Sequence, residues 1–184
     1  MTKLITKEQQ RAIEKLHVDF ANRLGKVFSE AVGGVTDSDI KFVDQTTYAE
    51  FIMSLSNPSA SYTFNVAPLN GPVVLDFPLH IAHYFTKQAM DERSDGALNE
   101  EERGVLNTVL KNVLKEFEAF WAPVEKVQVS NAMLETNPEV IGIAEPGDTV
   151  VLIGFEIHFQ HANGVVSLVY PYKTLESVLP KFSE

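Results

Sequence analysis

Four of the five histidines in this 184-residue chain fall in pairs, and they are the residues best placed to do chemistry. His80-x-x-His83 and His158-x-x-His161 have a separation at which two imidazoles can share a divalent metal. A metal centre needs further ligands, yet no acidic residue stands at a recognisable spacing from either pair, and His-Glu-x-x-His is absent. His80 and His83 lie in a predicted helix and could share a face. His158 lies in a strand and His161 in the following turn, so they need not converge. Glu100-Glu101-Glu102 resembles a carboxylate cluster, but at a predicted helix start it complements the macrodipole. There is no Gly-x-Ser-x-Gly elbow, no phosphate-cradling glycine loop and no dinucleotide fingerprint. With no cysteine, thiolate chemistry and disulfides are excluded, which suits a reducing cytoplasm. The sequence predicts no catalytic group, no metal and no cofactor.

The elements that would carry these residues come in two copies. Asn70-Gly71 and Pro78 recur as Asn163-Gly164 and Pro171, each 93 positions on. The same offset carries Tyr62, Phe64 and Val66 onto Phe155, Ile157 and Phe159. It also carries Ile13, Leu16, Phe20, Leu24, Val27 and Phe28 onto Leu106, Val109, Val113, Phe117, Phe120 and Trp121. Thr6 with Gln9, and Asn99 with Glu102, have capping-box spacing. A period that spans caps, a helix face, a strand face and a turn marks an internal duplication. Each copy reads as a long helix, a strand, a hairpin and a second helix. The first long helix is expected to stop at Gly33-Gly34 and the second at Ala122-Pro123. Strands follow near 39–44 and 127–133, then hairpins at 60–67 with 72–77 and 149–160 with 165–170. Asn70-Gly71 and Asn163-Gly164 supply the tight turns, and second helices run over 78–90 and 171–180. The fold expected is α/β of the α+β type, with a largely antiparallel six-stranded sheet covered by helices. Residues 1–184 read as a single domain with repeats at about 6–90 and 99–180. A charged segment at 86–98 joins them, either as a linker or as an exposed contact loop. Phe155, Ile157 and Phe159 should share a buried strand face, and Phe120 and Trp121 should be core.

Composition narrows the partners. Hydrophobic residues are 45% and charged residues 22%, the balance of a globular protein. A net charge of −10 opposes nucleic-acid binding, which depends on neutralising phosphates. No apolar run is long enough to span a membrane, and the N-terminus lacks the apolar stretch of a signal peptide. Residues 1–93 carry a net charge of −2 and residues 94–184 a net charge of −8. The second half is therefore either a solvated acidic face or a surface for a basic partner.

Four stretches, in order, resemble one family. They are Thr47-Tyr48-Ala49-Glu50-Phe51 through Ser54-Leu55-Ser56-Asn57-Pro58, then Trp121-Ala122-Pro123-Val124, Glu135-Thr136-Asn137-Pro138, and Pro171-Tyr172 with Leu175-Glu176. Together they are similar to the middle, CheC-like domain of the flagellar motor switch family FliM, over about residues 6 to 180. The wider group includes CheC, CheX and FliY. The resemblance implies a three-layer α/β/α sandwich with pseudo-two-fold symmetry, and a non-enzymatic part of the cytoplasmic ring at the flagellar basal body, peripheral to the inner membrane. It implies FliG as partner, neighbouring FliM copies beside it, FliN through a further C-terminal domain, and a response to phosphorylated CheY in chemotaxis. It also implies a middle domain trimmed from a longer chain.

One departure concerns the contact itself. Relatives carry a Gly-Gly-x-Gly loop against FliG after the helix that closes the first repeat. Here, after Tyr84-Phe85, the chain reads Thr86-Lys87-Gln88-Ala89-Met90-Asp91. Either the same loop meets FliG through other chemistry, or the chain is a divergent paralogue with another partner. On the first reading the contact residues are Thr86, Lys87, Gln88, Asp91, Glu92 and Arg93, exposed and of mixed charge. The family's alternative activity is a CheY-phosphate phosphatase of the CheC or FliY type, with Glu and Asn three residues apart on each long helix. The nearest match is Asp19-x-x-Asn22. In the second helix Asn107 follows Gly104, and Asn112 follows Val109. Both positions look empty of a complete pair.

Overall fold

A computed structural model describes residues 3–34, 36–87 and 96–183. Its elements run α1 (Lys7–Val32), β1 (Asp37–Thr47), α2 (Tyr48–Ser54), β2 (Ala60–Ala67), β3 (Pro72–Phe77), α3 (Leu79–Lys87), α4 (Glu100–Trp121), β4 (Gln128–Glu135), β5 (Thr149–His158), β6 (Asn163–Pro171) and α5 (Tyr172–Leu175). Single 3₁₀ turns occupy Pro138–Val140 and Leu179–Phe182. Both long helices open on complete capping boxes, Thr6 with Gln9 and Asn99 with Glu102. α1 closes on Gly33, whose φ of 68° is a left-handed cap open to glycine at little cost.

Among the described residues all five strand pairings are antiparallel, in the order β1-β5-β6-β3-β2-β4. Exchanging each strand with its partner 93 residues away turns this order into its own reverse. Two contacts place the pseudo-two-fold axis. In the sheet, Leu75 of β3 pairs with Leu168 of β6, its own counterpart. Above the sheet, Arg23 Nη1 of α1 donates to Glu116 Oε1 of α4 at 2.7 Å, again across 93 positions. A residue that touches its own counterpart must lie beside the axis, so the axis passes between β3 and β6 and between α1 and α4.

α1 and α4 pack side by side on one sheet face, and most of the core lies beneath them. Phe155, Ile157 and Phe159 all lie buried in it, as their alternation requires. Phe20 stacks on Phe120 at 4.7 Å and meets Phe155 edge-on at 5.4 Å. His17 sits fully buried in this layer, with Nδ1 2.7 Å from the Ile13 carbonyl and Nε2 2.7 Å from Tyr170 Oη. Trp121 Nε1 donates to the same hydroxyl at 3.1 Å. Tyr170 must therefore give its proton to His17 Nε2, and Nδ1–H goes to Ile13, so the chain of donors runs one way from α4 through β6 to α1. Burial lowers the His17 pKa to about 4 and keeps the ring neutral. The opposite sheet face is covered by α2 and residues 141–144 over Val74, Val150 and Val169.

Four expectations need correction. The second Asn-Gly pair does not form its turn, whereas Asn70-Gly71 does lie in the loop of the first hairpin. The first hairpin closes over residues 68–71 and the second over 159–162, and Asn163 and Gly164 belong to β6, paired with His158 and Ile157. Glycine is needed at 164 for space: a Cβ there would lie 2.8 Å from His80 Nε2 and from Ile81 Cγ1. At Gly71, with φ 137°, backbone and space both demand it, since a Cβ would lie 2.7 Å from Thr174 Oγ1. The helix expected over 171–180 breaks after four residues, because Pro180 cannot donate back and restricts Leu179 before it. β1 is longer than its apolar pattern suggested, because pairing with β5 over 37–47 carries its polar ends. Finally, α2 was not expected at all.

Candidate functional site

The junction between the repeats is built on α3. Its apolar stripe holds the helix down: Phe85 packs on Phe28 at 5.1 Å and Phe159 at 5.7 Å, and Tyr84 stacks on Phe159 at 4.5 Å. That packing carries the helix through Thr86 to Lys87. Thr86, expected exposed in a loop, is instead half-buried in α3, and its Oγ1 is buried with no hydrogen-bond partner among the described residues. Lys87 is the last helical residue. Gln88, Asp91, Glu92 and Arg93 lie outside the described residues.

The two histidines of α3 diverge. His80 Nε2 lies 2.8 Å from the Asn163 carbonyl, which secures the second hairpin. His83 turns inward, with Nδ1 2.7 Å from Glu102 Oε2 and Nε2 2.7 Å from the Gly96 carbonyl. Glu102 is itself the third helical residue of α4: its Oε1 accepts from Asn99 N at 2.8 Å, and its own amide donates to Asn99 Oδ1 at 2.8 Å. Of the three acidic residues at that helix start, Glu102 is thus a capping group, buried and built in. In the second pair, His158 Nε2 lies 3.1 Å from Glu156 Oε1, while the His161 amide donates to Tyr84 Oη at 3.3 Å. Neither pair brings its rings together. Among the described residues no group of three or more His, Asp or Glu could hold a metal ion.

Of the positions that would serve phosphatase chemistry, Asp19 and Asn107 hold side-chain hydrogen bonds, and Asn22 and Asn112 line open clefts. Asp19 accepts from Arg23 Nε at 3.0 Å. Asn22 lines a cleft of about 540 Å³ between α1 and β1, with Lys26, Asp37 and Asp39. Asn107 accepts a short hydrogen bond from the Tyr62 hydroxyl, and Asn112 lines a groove between α4 and β4 with Lys111 and Lys115. No glutamate stands three residues before either of the latter two.

The geometry therefore describes a pseudo-symmetric domain with a hydrogen-bonded polar cluster of His83, Asn99 and Glu102 at the repeat junction. Residues 6–184 match the family model described as flagellar motor switch protein FliM. The chain belongs to the FliM family. It is 26% identical over 183 residues to the flagellar motor switch protein FliM of Bacillus subtilis, covering 97% of this chain and 55% of that protein. The chain spans about half the length of the curated FliM relatives it matches. The crystal structure of the FliM middle domain from H. pylori superposes with a TM-score of 0.87 at 28% identity, covering 96% of this chain and 99% of that one. The FliM chain of a FliG–FliM complex from H. pylori gives 0.88 at 26%, covering 96% and 100%. The six-stranded antiparallel sheet and its helical layers are thus the FliM middle-domain fold. Among the described residues no helix is long and apolar enough to cross a membrane.

Proposed function

We propose that this chain is a single, non-enzymatic domain of the bacterial flagellar motor switch, that its partner is FliG, and that the contact is made by the segment joining the two repeats. The observation that carries the reading is its likeness, over nearly its whole length, to the FliM chain of a FliG–FliM complex. The junction supports the placement, because both flanks of the segment are held firmly: Phe85 anchors the end of α3, and His83 holds Gly96. A short segment between two fixed points costs less ordering entropy on binding than a free loop does. Lys87, Asp91, Glu92 and Arg93 place both signs of charge there, so the contact is more electrostatic than one made by glycine backbone and weakens with salt.

Calorimetric titration against FliG from the same genome tests both parts. Saturable binding that weakens between low and high salt is the expected result. Replacing Lys87, Asp91, Glu92 and Arg93 together by Ala or Ser should leave folding stability within about 1 kcal/mol and weaken FliG binding at low salt. Unchanged affinity would make the segment a linker with the interface elsewhere, and no binding at all would remove FliG as the partner.

A further inference from the structure

We propose that the apolar groove between α2 and residues 138–146 is a docking site for a basic amphipathic helix of another protein. This surface is separate from the repeat junction, so the inference is independent of the proposed contact with FliG. Tyr48, Ile52 and Met53 of α2 line the groove with Pro138, Ala144 and Pro146, around a space of about 380 Å³. Met53 is 84% exposed, and Val140, beside the lining residue Glu139, is 61% exposed. Large apolar side chains left open to water around a cleft mark an interaction site, and methionine adapts to the shape of what it meets. The walls are tied together before anything binds. The Tyr48 and Ala49 amides donate to the Asp148 and Pro146 carbonyls at 2.8 and 3.0 Å, and Ile143 N donates to Tyr48 Oη at 3.4 Å. A site held in this way loses little entropy on binding.

Two observations define the occupant. The first is the backbone of the walls. The amides just named are taken, those of Val140 and Ile141 donate to Asn137 and Pro138, and Pro138 and Pro146 have none to offer. The walls therefore present no open strand edge to an extended peptide, and an occupant must bring its own backbone bonds satisfied, as a helix does. The second is charge. Glu139 lines the groove, and Glu50 and Glu145, both exposed, stand beside the lining residues Ala49 and Pro146. No Lys or Arg occurs in residues 42–86 or 127–172, the two stretches that build the groove, although the chain holds 15. Lys173 lines the neighbouring cleft, with Glu145 and Asp148. An apolar floor bordered by carboxylates matches a helix whose apolar face is bordered by Lys and Arg.

The test is fluorescence anisotropy of a labelled peptide of about 18 residues, with Leu on one helical face and Lys on the other, titrated with the full chain. It should bind saturably and weaken at high salt. The same residues in scrambled order, with no apolar face, should bind about tenfold more weakly, and a twin with Glu in place of Lys should not bind. Met53→Lys should weaken binding about tenfold, at a side chain too exposed for the change to disturb folding. Val18→Lys adds the same charge on α1, where the side chain is 50% exposed, and should leave affinity within about twofold. Absence of binding, equal binding of the ordered and scrambled peptides, or equal loss in Met53→Lys and Val18→Lys overturns the proposal. Sedimentation decides the other occupant: self-association of the free protein that Met53→Lys abolishes would assign the groove to a second copy and overturn it too.

Discussion

Asp76→Asn should stabilise the protein at neutral pH and do little in acid. Asp76 sits mid-sheet on β3, paired across to Ser61 of β2 and Ser167 of β6, and takes a 2.7 Å hydrogen bond from Ser61 Oγ. Burial pushes its carboxyl from the ordinary 3.8 up to about 7, and the single serine bond offsets only part of that. The sign follows from proton counting. Between those two values the folded state holds a proton that the unfolded state has lost, so stability is full below about 3.8 and falls as pH rises to about 7. Each pH unit in that window is worth about 1.4 kcal/mol, which sets an upper bound of about 4 kcal/mol. The side chain is half-buried rather than sealed, and solvent screening brings the expected effect to about 2 kcal/mol. Asparagine keeps an oxygen for Ser61 and carries no charge. His17 works in the opposite sense: buried neutral with its pKa lowered to about 4, it lowers stability as pH falls from about 6.5 towards that value. Comparing variant with wild type at each pH cancels the His17 contribution. Urea unfolding at about pH 4 and about pH 8 supplies the two differences. A difference that is the same at both values would refute the reasoning, because desolvation of the charged form is its whole basis.

Further outcomes test the fold and the proposed non-enzymatic role. Phe155→Ala should cost about 3–5 kcal/mol by denaturant unfolding, since it empties the space under Phe20; a change within about 0.5 kcal/mol would mean the strand face is misassigned. Gly164→Ala should cost about 1–3 kcal/mol because its Cβ meets Ile81 and a His80 ring already bonded to Asn163. Gly104→Ala, with nothing within 4 Å and a helical backbone, should instead stabilise by about 1 kcal/mol; the two glycines behaving alike would contradict the packing described. Purified protein should not speed the dephosphorylation of CheY-phosphate. Acceleration abolished by Asn22→Ala or Asn112→Ala would show that one of those helix positions is a working site.

Much of the fold was legible because two copies could be read against each other. A single Thr-x-x-Gln is weak, but a capping box, an apolar face and an alternating strand that recur at one offset reinforce one another. Sheet order and the axis between Leu75 and Leu168 were not legible, since hydrogen bonding between strands leaves no local trace in either one. α2 was missed although Thr47-x-x-Glu50 carries a cap signal, with Thr47 Oγ1 accepting from Glu50 N. A seven-residue helix gives too few turns for periodicity to register, and tertiary packing of Tyr48 and Phe51 onto the second sheet face makes it form.

The glycines show why local rules fell short at the second hairpin. Asn163-Gly164 has the composition of a tight turn, yet it was selected by something 83 residues away: the approach of α3, with His80 on the Asn163 carbonyl. The same holds at the repeat junction. His80-x-x-His83 has metal-like spacing on paper, but one ring serves the second hairpin and the other faces Gly96 and the cap of α4. Sequence spacing singled out these residues, but their partners are set by the tertiary fold. What decides the chemistry is which acceptors the tertiary fold sets before each nitrogen, and for His83 they are the Glu102 carboxyl and the Gly96 carbonyl, which tie α3 to the start of α4.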